Sequence, residues 1–158
     1  FHIEGITPEA SLYAPPDRKI TLTQAELDQA ALALSDPEIG EIDFISLGCP
    51  HLTIREIARI AELLSGHQVL REFWITTSRP IKQIADQMGY TRIIEESGAK
   101  FAVDTCCVVA PIRGRFHALA TDSAKACYYA SSKNRFLMRF QSFDETVLEA
   151  LKPKLSRA

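Results

Sequence analysis

The strongest constraint on the fold is a unit that repeats without repeating its letters: a short β-rich run, a polar tip, then a helical pattern. Residues 42–47 (Ile-Asp-Phe-Ile-Ser-Leu) run into Gly48-Cys49-Pro50-His51. Thr53-Ile54-Arg55-Glu56 then opens a helix as a capping box, a hydroxyl followed three residues later by a carboxylate. Residues 69–76 end in Thr77-Ser78-Arg79-Pro80, with proline in the first turn of the next helix. Residues 100–103 end in Asp104-Thr105-Cys106-Cys107, and residues 117–120 end in Thr121-Asp122-Ser123-Ala124-Lys125. A last strand over 136–140 meets the capping box Ser142-Phe143-Asp144-Glu145.

Strands alternating with helices predict an α/β fold, a mainly parallel sheet with helices on both faces. Right-handed crossovers bring the carboxyl ends of all the strands to one edge, where open sheets of this kind bind ligands. The tips, scattered along the chain, are therefore expected to share one site.

The other elements follow from periodicity. Ile54, Ile57, Ala58, Ala61 and Leu64 form an apolar stripe closed by Gly66. Ile81, Ile84, Ala85 and Met88 form another, stopped by Gly89, and a short helix follows from 91 to Gly98. The capping box Thr23-Gln24-Ala25-Glu26 predicts an earlier helix, with Leu27, Ala30, Ala31 and Leu34 as a buried stripe. Residues 1–20 read as a short β-like start followed by loop. Residues 108–110 either continue the third strand or form another edge. A helix is expected over 122–130, and a final one through Leu151.

With 158 residues the chain has room for one domain with a real core. A net charge of −2 offers no bulk attraction to nucleic acid or to a membrane surface, and no apolar run approaches the ~20 residues that span a bilayer. Four cysteines in a chain this long are not a secreted disulfide framework, so a reducing, cytoplasmic compartment is expected. The chain starts Phe1-His2 without an initiator methionine and reads as part of a longer polypeptide or as a processed chain.

The tips carry the chemistry. Cys49, ahead of a helix N-terminus, is expected to favour the thiolate and to serve as a soft metal ligand or a nucleophile. His51 can act as an acid or base, or hold a carboxylate. Asp104, ahead of Cys106, can orient a neighbouring group or bind a metal-bound water, while Cys107 and Cys127 read as core. Ser78 and Arg79 suit a carboxylate or phosphate. Asp122, Ser123 and Lys125 occupy a similar place, one of them capping the helix, and a lysine at a helix N-terminus is electrostatically out of place unless it has a function. Thr7 and Glu9 flank Pro8 as a turn device or a polar site. Two tip cysteines are too few for an ordinary iron–sulfur cluster.

Taken in order, Phe1-His2-Ile3-Glu4-Gly5-Ile6-Thr7-Pro8-Glu9-Ala10, Gly48-Cys49-Pro50-His51, Asp104-Thr105-Cys106 and Thr121-Asp122-Ser123-Ala124-Lys125 resemble the aconitase X family over nearly the whole chain. The resemblance is narrowest to the C-terminal segment of the family's large catalytic portion. It implies an aconitase-like single α/β domain over 1–158, part of a larger catalytic unit. The implied activity is that of an iron–sulfur hydro-lyase, or dehydratase. Cys49 and Cys106 match the family's cysteine positions as cluster ligands, and a third ligand lies outside this chain.

The resemblance further implies a small swivelling domain or subunit as partner. The substrate is a small hydroxy acid, cis-3-hydroxy-L-proline on the form of the Thr-Asp-Ser-Ala-Lys-Ala-Cys stretch, or else mevalonate 5-phosphate. In that frame His51, Ser123 and Lys125 are the catalytic candidates. Thr7, Glu9, Ser78, Arg79 and Asp104 are candidates for substrate binding. Two other readings compete: a non-catalytic α/β subunit that binds a partner, and a zinc site built from Cys49, His51 and Cys106.

Overall fold

A computed structural model describes residues 1–153. Five parallel strands form one sheet in the order β3-β2-β1-β4-β5: β1 (Phe44–Leu47), β2 (Glu72–Thr77), β3 (Lys100–Val103), β4 (Ala118–Thr121) and β5 (Leu137–Phe140). The helices are α1 (Gln24–Ala33), α2 (Ile54–Leu64), α3 (Arg79–Gln87), α4 (Tyr90–Glu96), α5 (Ala124–Asn134) and α6 (Phe143–Glu149), with a 3-10 turn at Ala10–Leu12. The chain starts at the centre with β1, winds outward to β3, then returns to lay β4 and β5 on the other side of β1. The strand order therefore reverses between β1 and β4.

Alternation along the strands sorts two cores. Ile45, Leu47, Phe73, Ile75, Ala118 and Ala120 face one side and pack with Ile57, Ile60, Leu64, Ala85, Ile94 and Val147 from α2, α3, α4 and α6. Phe44, Trp74, Leu119 and Met138 face the other, against Ala126, Cys127 and Ala130 of α5 and Cys107 and Ile112 of the loop after β3. Helices thus lie on both faces, but on the second face that loop covers much of what a helix covers on the first. Residues 108–110 are turn within it, neither a continuation of β3 nor a new edge. Cys107 and Cys127 are core, as expected, at 1% and 2% exposure.

All three predicted capping boxes form, at Thr23–Glu26, Thr53–Glu56 and Ser142–Glu145. Helix α5 runs to Asn134, beyond the expected end at 130, and β2 begins at Glu72 rather than 69.

The N-terminal expectations fail. Residues 1–20 contain turns and the 3-10 turn but no strand. Helix α1 buries none of its residues: Leu27 is 52% exposed and Leu32 77%, and only Ala31 and Leu34 of the predicted stripe are even partly covered. The 3.6-residue spacing is present, but no apolar surface of the described residues lies opposite it. Docking to the sheet begins at Leu34. The Ser35 hydroxyl accepts from the Phe140 amide (2.9 Å), and Asp36 exchanges bonds with Met138 in both directions (2.6 and 2.8 Å). This segment covers the β5 edge, which would otherwise expose unpaired backbone groups.

Candidate functional site at the strand ends

Every predicted tip lies at the carboxyl edge of the sheet, and the β1 tip is held there by β2. The Thr76 hydroxyl donates to the Leu47 carbonyl (2.9 Å) and the Gly48 carbonyl (2.6 Å). The Thr77 hydroxyl donates to Leu52 (2.7 Å), whose own amide donates to the Thr76 carbonyl (3.0 Å). Both threonines are fully buried. Gly48 has φ +104°, and a Cβ there would overlap the Thr76 carbonyl oxygen and hydroxyl. The backbones of the two tips are therefore as close as glycine allows. The Cys49–Pro50 peptide is cis. None of this stapling by Thr76 and Thr77 was anticipated: two threonines ending a strand read as β propensity, and only the register shows them aimed at the neighbouring tip.

Cys49 and Cys106, both half-buried, lie at the β1 and β3 tips, near enough across the end of β2 to influence each other electrostatically. Burial pushes the Cys49 thiol above its usual range, and the adjacent Cys106 adds to this. The Ser123 hydroxyl and Lys125 pull the other way without prevailing. This corrects the expectation of a free thiolate. The helix whose N-terminus should stabilise it, α2, starts only at Ile54, five residues on, while the thiol itself sits against the second core.

His51 is exposed, with Nε2 3.0 Å from the Thr105 carbonyl, so it links the β1 and β3 tips. Ser123 caps α5, accepting from the Ala126 amide (3.0 Å) while its hydroxyl donates to the Cys49 carbonyl. It ties the β4 tip to the β1 tip. Lys125 is exposed on the first turn of α5.

Ser78 is the α3 N-cap by position but makes no side-chain cap bond. Asp104 does that work from the next tip. Its carboxylate accepts from the Arg79 amide (2.9 Å) and Nε (3.1 Å), with Nη2 also at 3.1 Å. Asp104 adopts φ +57°, and its amide donates to the Thr77 carbonyl (3.0 Å). Two residues predicted separately for substrate thus hold each other, while the Arg79 side chain stays largely exposed.

Thr7 and Glu9 are not brought to this edge. The Thr7 hydroxyl accepts from the Ile3 amide (2.9 Å), and Glu9 precedes the 3-10 turn without capping it.

Between the β1 and β4 tips, where the strand order reverses, an open depression of about 430 Å³ is lined by Cys49, His51, Glu56, Asp122, Ser123 and Lys125, among others. This is the place at which open parallel sheets bind ligands. A larger hollow of about 800 Å³ is formed by residues 2–16 of the N-terminal segment alone and contains none of the tips. Among the described residues no three His, Cys, Asp or Glu side chains converge as a metal site. The zinc reading of Cys49, His51 and Cys106 is therefore not supported: His51 turns its Nε2 to a carbonyl instead. The donors that do converge are two soft thiols, which fit iron but need at least one further ligand from elsewhere.

A doubly wound parallel α/β sheet with a thiol pair at its carboxyl edge is the class of structure this describes. The chain belongs to the aconitase X family: the profile of the aconitase X third domain matches residues 42–152. Over 153 residues it is 38% identical to the phosphomevalonate dehydratase large subunit of Thermococcus kodakarensis, covering 95% of this chain and 39% of that protein. It is 32% identical to the cis-3-hydroxy-L-proline dehydratase of Pseudomonas aeruginosa, covering 82% of this chain and 24% of that protein. The crystal structure of the holo form of Thermococcus kodakaraensis aconitase X superposes with a TM-score of 0.82 at 37% identity, over 94% of this chain and 39% of that one. The chain thus spans a quarter to two fifths of the length of these relatives. No helix among the described residues is long and apolar enough to cross a membrane.

Proposed function

We propose that this chain forms part of an aconitase X hydro-lyase, the C-terminal segment of its large portion. It contributes two cysteine ligands and one wall of the substrate site to a catalytic unit completed by other polypeptide, including a small swivelling domain or subunit. The observation that carries this reading is the meeting of Cys49 and Cys106 at the carboxyl edge of the sheet. A reducing cytoplasm suits its four free thiols.

Cys49 and Cys106 would hold an iron–sulfur cluster together with a third ligand from outside this chain. Such a cluster supplies a Lewis-acidic iron for the departing hydroxyl. Lys125, exposed beside the depression, and the largely exposed Arg79 provide positive charge for the substrate carboxylate. Asp104 positions Arg79, and Ser78 lies at the same helix start. His51 and Ser123 hold the β3 and β4 tips against the β1 tip, which sets the distance between the thiol pair and Lys125.

The substrate reading moves towards mevalonate 5-phosphate. Four phosphomevalonate dehydratase large subunits are 37–39% identical to the chain and a fifth is 31% identical, against 32–33% for two cis-3-hydroxy-L-proline dehydratases. The hydroxyproline reading stands second, on the form of the Thr121-to-Cys127 stretch.

The test is an anaerobic purification of the complete assembly, assayed with both substrates. Iron–sulfur absorption should be present, and Cys49→Ser and Cys106→Ser should each abolish it while the fold persists by circular dichroism. An assembly without that absorption, with both serine variants unchanged in activity, refutes the cluster and leaves a non-catalytic subunit as the alternative.

A further inference from the structure

The groups lining the depression between the β1 and β4 tips differ in what they are free to do. Cys49 is half of the thiol pair. His51 Nε2 is taken by the Thr105 carbonyl (3.0 Å). Ser123 is committed at both ends, donating to the Cys49 carbonyl and accepting from the Ala126 amide. Glu56 is locked in the capping box of α2, accepting from the Thr53 amide and hydroxyl (both 2.7 Å). Lys125 is an exposed cation.

Asp122 is different. It is half-buried and lines the same depression, and no side-chain partner or ion pair engages its carboxyl among the described residues. It also sits at the first position past β4, on the seam where the strand order reverses. A carboxyl in a partly dry place with no partner beyond its own backbone needs a reason, since a cationic partner or full exposure is the ordinary outcome.

Resting on the dehydratase reading above, we propose that the Asp122 carboxyl is the acid that protonates the departing hydroxyl. Elimination breaks a C–O bond with its electron pair leaving on oxygen. The Asp122 proton joins that oxygen, and water departs. The proton on the carbon next to the substrate carboxylate goes to a separate base, and its electron pair forms the C=C bond. The base releases its proton to solvent, from which the Asp122 carboxylate is reprotonated, so atoms and charge balance over the cycle.

The surroundings of Asp122 favour its neutral form more than water does. Burial raises its pKa from the ordinary aspartate value, a bond from its own backbone opposes this, and the Glu56 carboxylate across the depression raises it further. The other titratable groups around it are His51 and Cys49 from the β1 tip, and Lys125 and Cys127 from α5.

The experiment uses the complete, cluster-loaded assembly, with mevalonate 5-phosphate and cis-3-hydroxy-L-proline as substrates. Asp122→Asn is isosteric and cannot give up a proton. It should lower kcat by ~100-fold or more, the usual loss on removing a general acid. KM should stay within about threefold, and the cluster absorption and melting temperature should be unchanged. The limb of the kcat–pH profile that falls as pH rises should disappear, and Asp122→Glu should recover part of the rate. A purely structural Asp122 would move the melting temperature and leave that limb in place. The assignment is overturned if Asp122→Asn keeps kcat within about threefold, or if the limb persists in it. An unsubstituted assembly that carries its cluster and turns over neither substrate refutes the dehydratase reading itself, and this assignment with it; that result is visible before any variant is made.

Discussion

Alanine at Gly48 probes how the site is held, because two separate penalties meet there. The first is conformational. Gly48 sits at φ +104°, a region that residues with a Cβ avoid, for which ~1–3 kcal/mol is typical. The second is steric. The added Cβ would overlap the Thr76 carbonyl oxygen and hydroxyl, with the Thr76 carbonyl carbon at 2.9 Å. The obstacle is mainly backbone, so relief means moving the β1 tip off β2 and stretching the bonds from Thr76 to Leu47 and Gly48. Overpacking of this kind adds ~1–3 kcal/mol. Together they come to ~2–6 kcal/mol, a large share of the ~5–15 kcal/mol that holds a domain folded.

Gly66 supplies the control, with φ +77° and nothing within 4 Å of an added Cβ. Alanine there should cost only the conformational part, ~1 kcal/mol. With a urea slope of ~2 kcal/mol per molar, Gly48→Ala should lower the unfolding midpoint by ~1–3 M and Gly66→Ala by ~0.5 M. If the two midpoints fall together, the close approach of the tip to Thr76 is not what holds it.

Three further outcomes are expected. Thr76→Val keeps the volume but strands two tip carbonyls, and should destabilise by ~1–3 kcal/mol in the same urea assay. Asp104→Ala removes the acceptor that caps α3 and should cost ~1–2 kcal/mol, while Asp104→Asn, which keeps an acceptor and tolerates positive φ, should stay within ~0.5 kcal/mol. Burial raises the Cys127 thiol to about 11 and the Cys107 thiol to about 12. Unfolded thiols titrate near ~8.5, so the stability due to keeping them neutral is whole below that pH and is lost as pH rises through the folded values. The urea midpoint should therefore fall between pH 8 and pH 10, and fall less steeply in Cys127→Ala.

Much of the fold was legible because local signals agreed with one another. The capping boxes at Thr53 and Ser142, and the apolar stripes closed by Gly66 and Gly89, each marked an element that formed. What failed was the step from pattern to burial. Helix α1 has the cap and the spacing of a core helix, but periodicity says only which face is apolar, never what lies opposite.

The site divides in the same way. Cys49, Cys106, Ser123 and Lys125 stood out by residue type at strand ends, and the parallel sheet brought them to one edge. Thr7 and Glu9 were grouped with them through motif order alone, and the described residues hold them elsewhere. The partners of Arg79, Ser123 and His51 are a carboxylate and two carbonyls from tips 25, 74 and 54 residues away, distances at which no local pattern speaks. The raised Cys49 thiol has the same origin: its surroundings come from α5 and from the far side of the sheet.

The reversed strand order also bears on when the site comes into being. Phe44 pairs with Glu72 on one side and with Leu119 on the other. Closing the second loop costs about 1 kcal/mol more chain entropy than closing the first. The half of the sheet from β1 to β3 can therefore gather first, bringing Cys49 beside Cys106, while Asp122 and Lys125 arrive only when β4 zips onto the other side of β1. On this order of events the thiol pair precedes the wall that faces it. A newly made chain would present its two sulfurs while the seam beside them is still open, the stage at which an incoming inorganic group meets least obstruction.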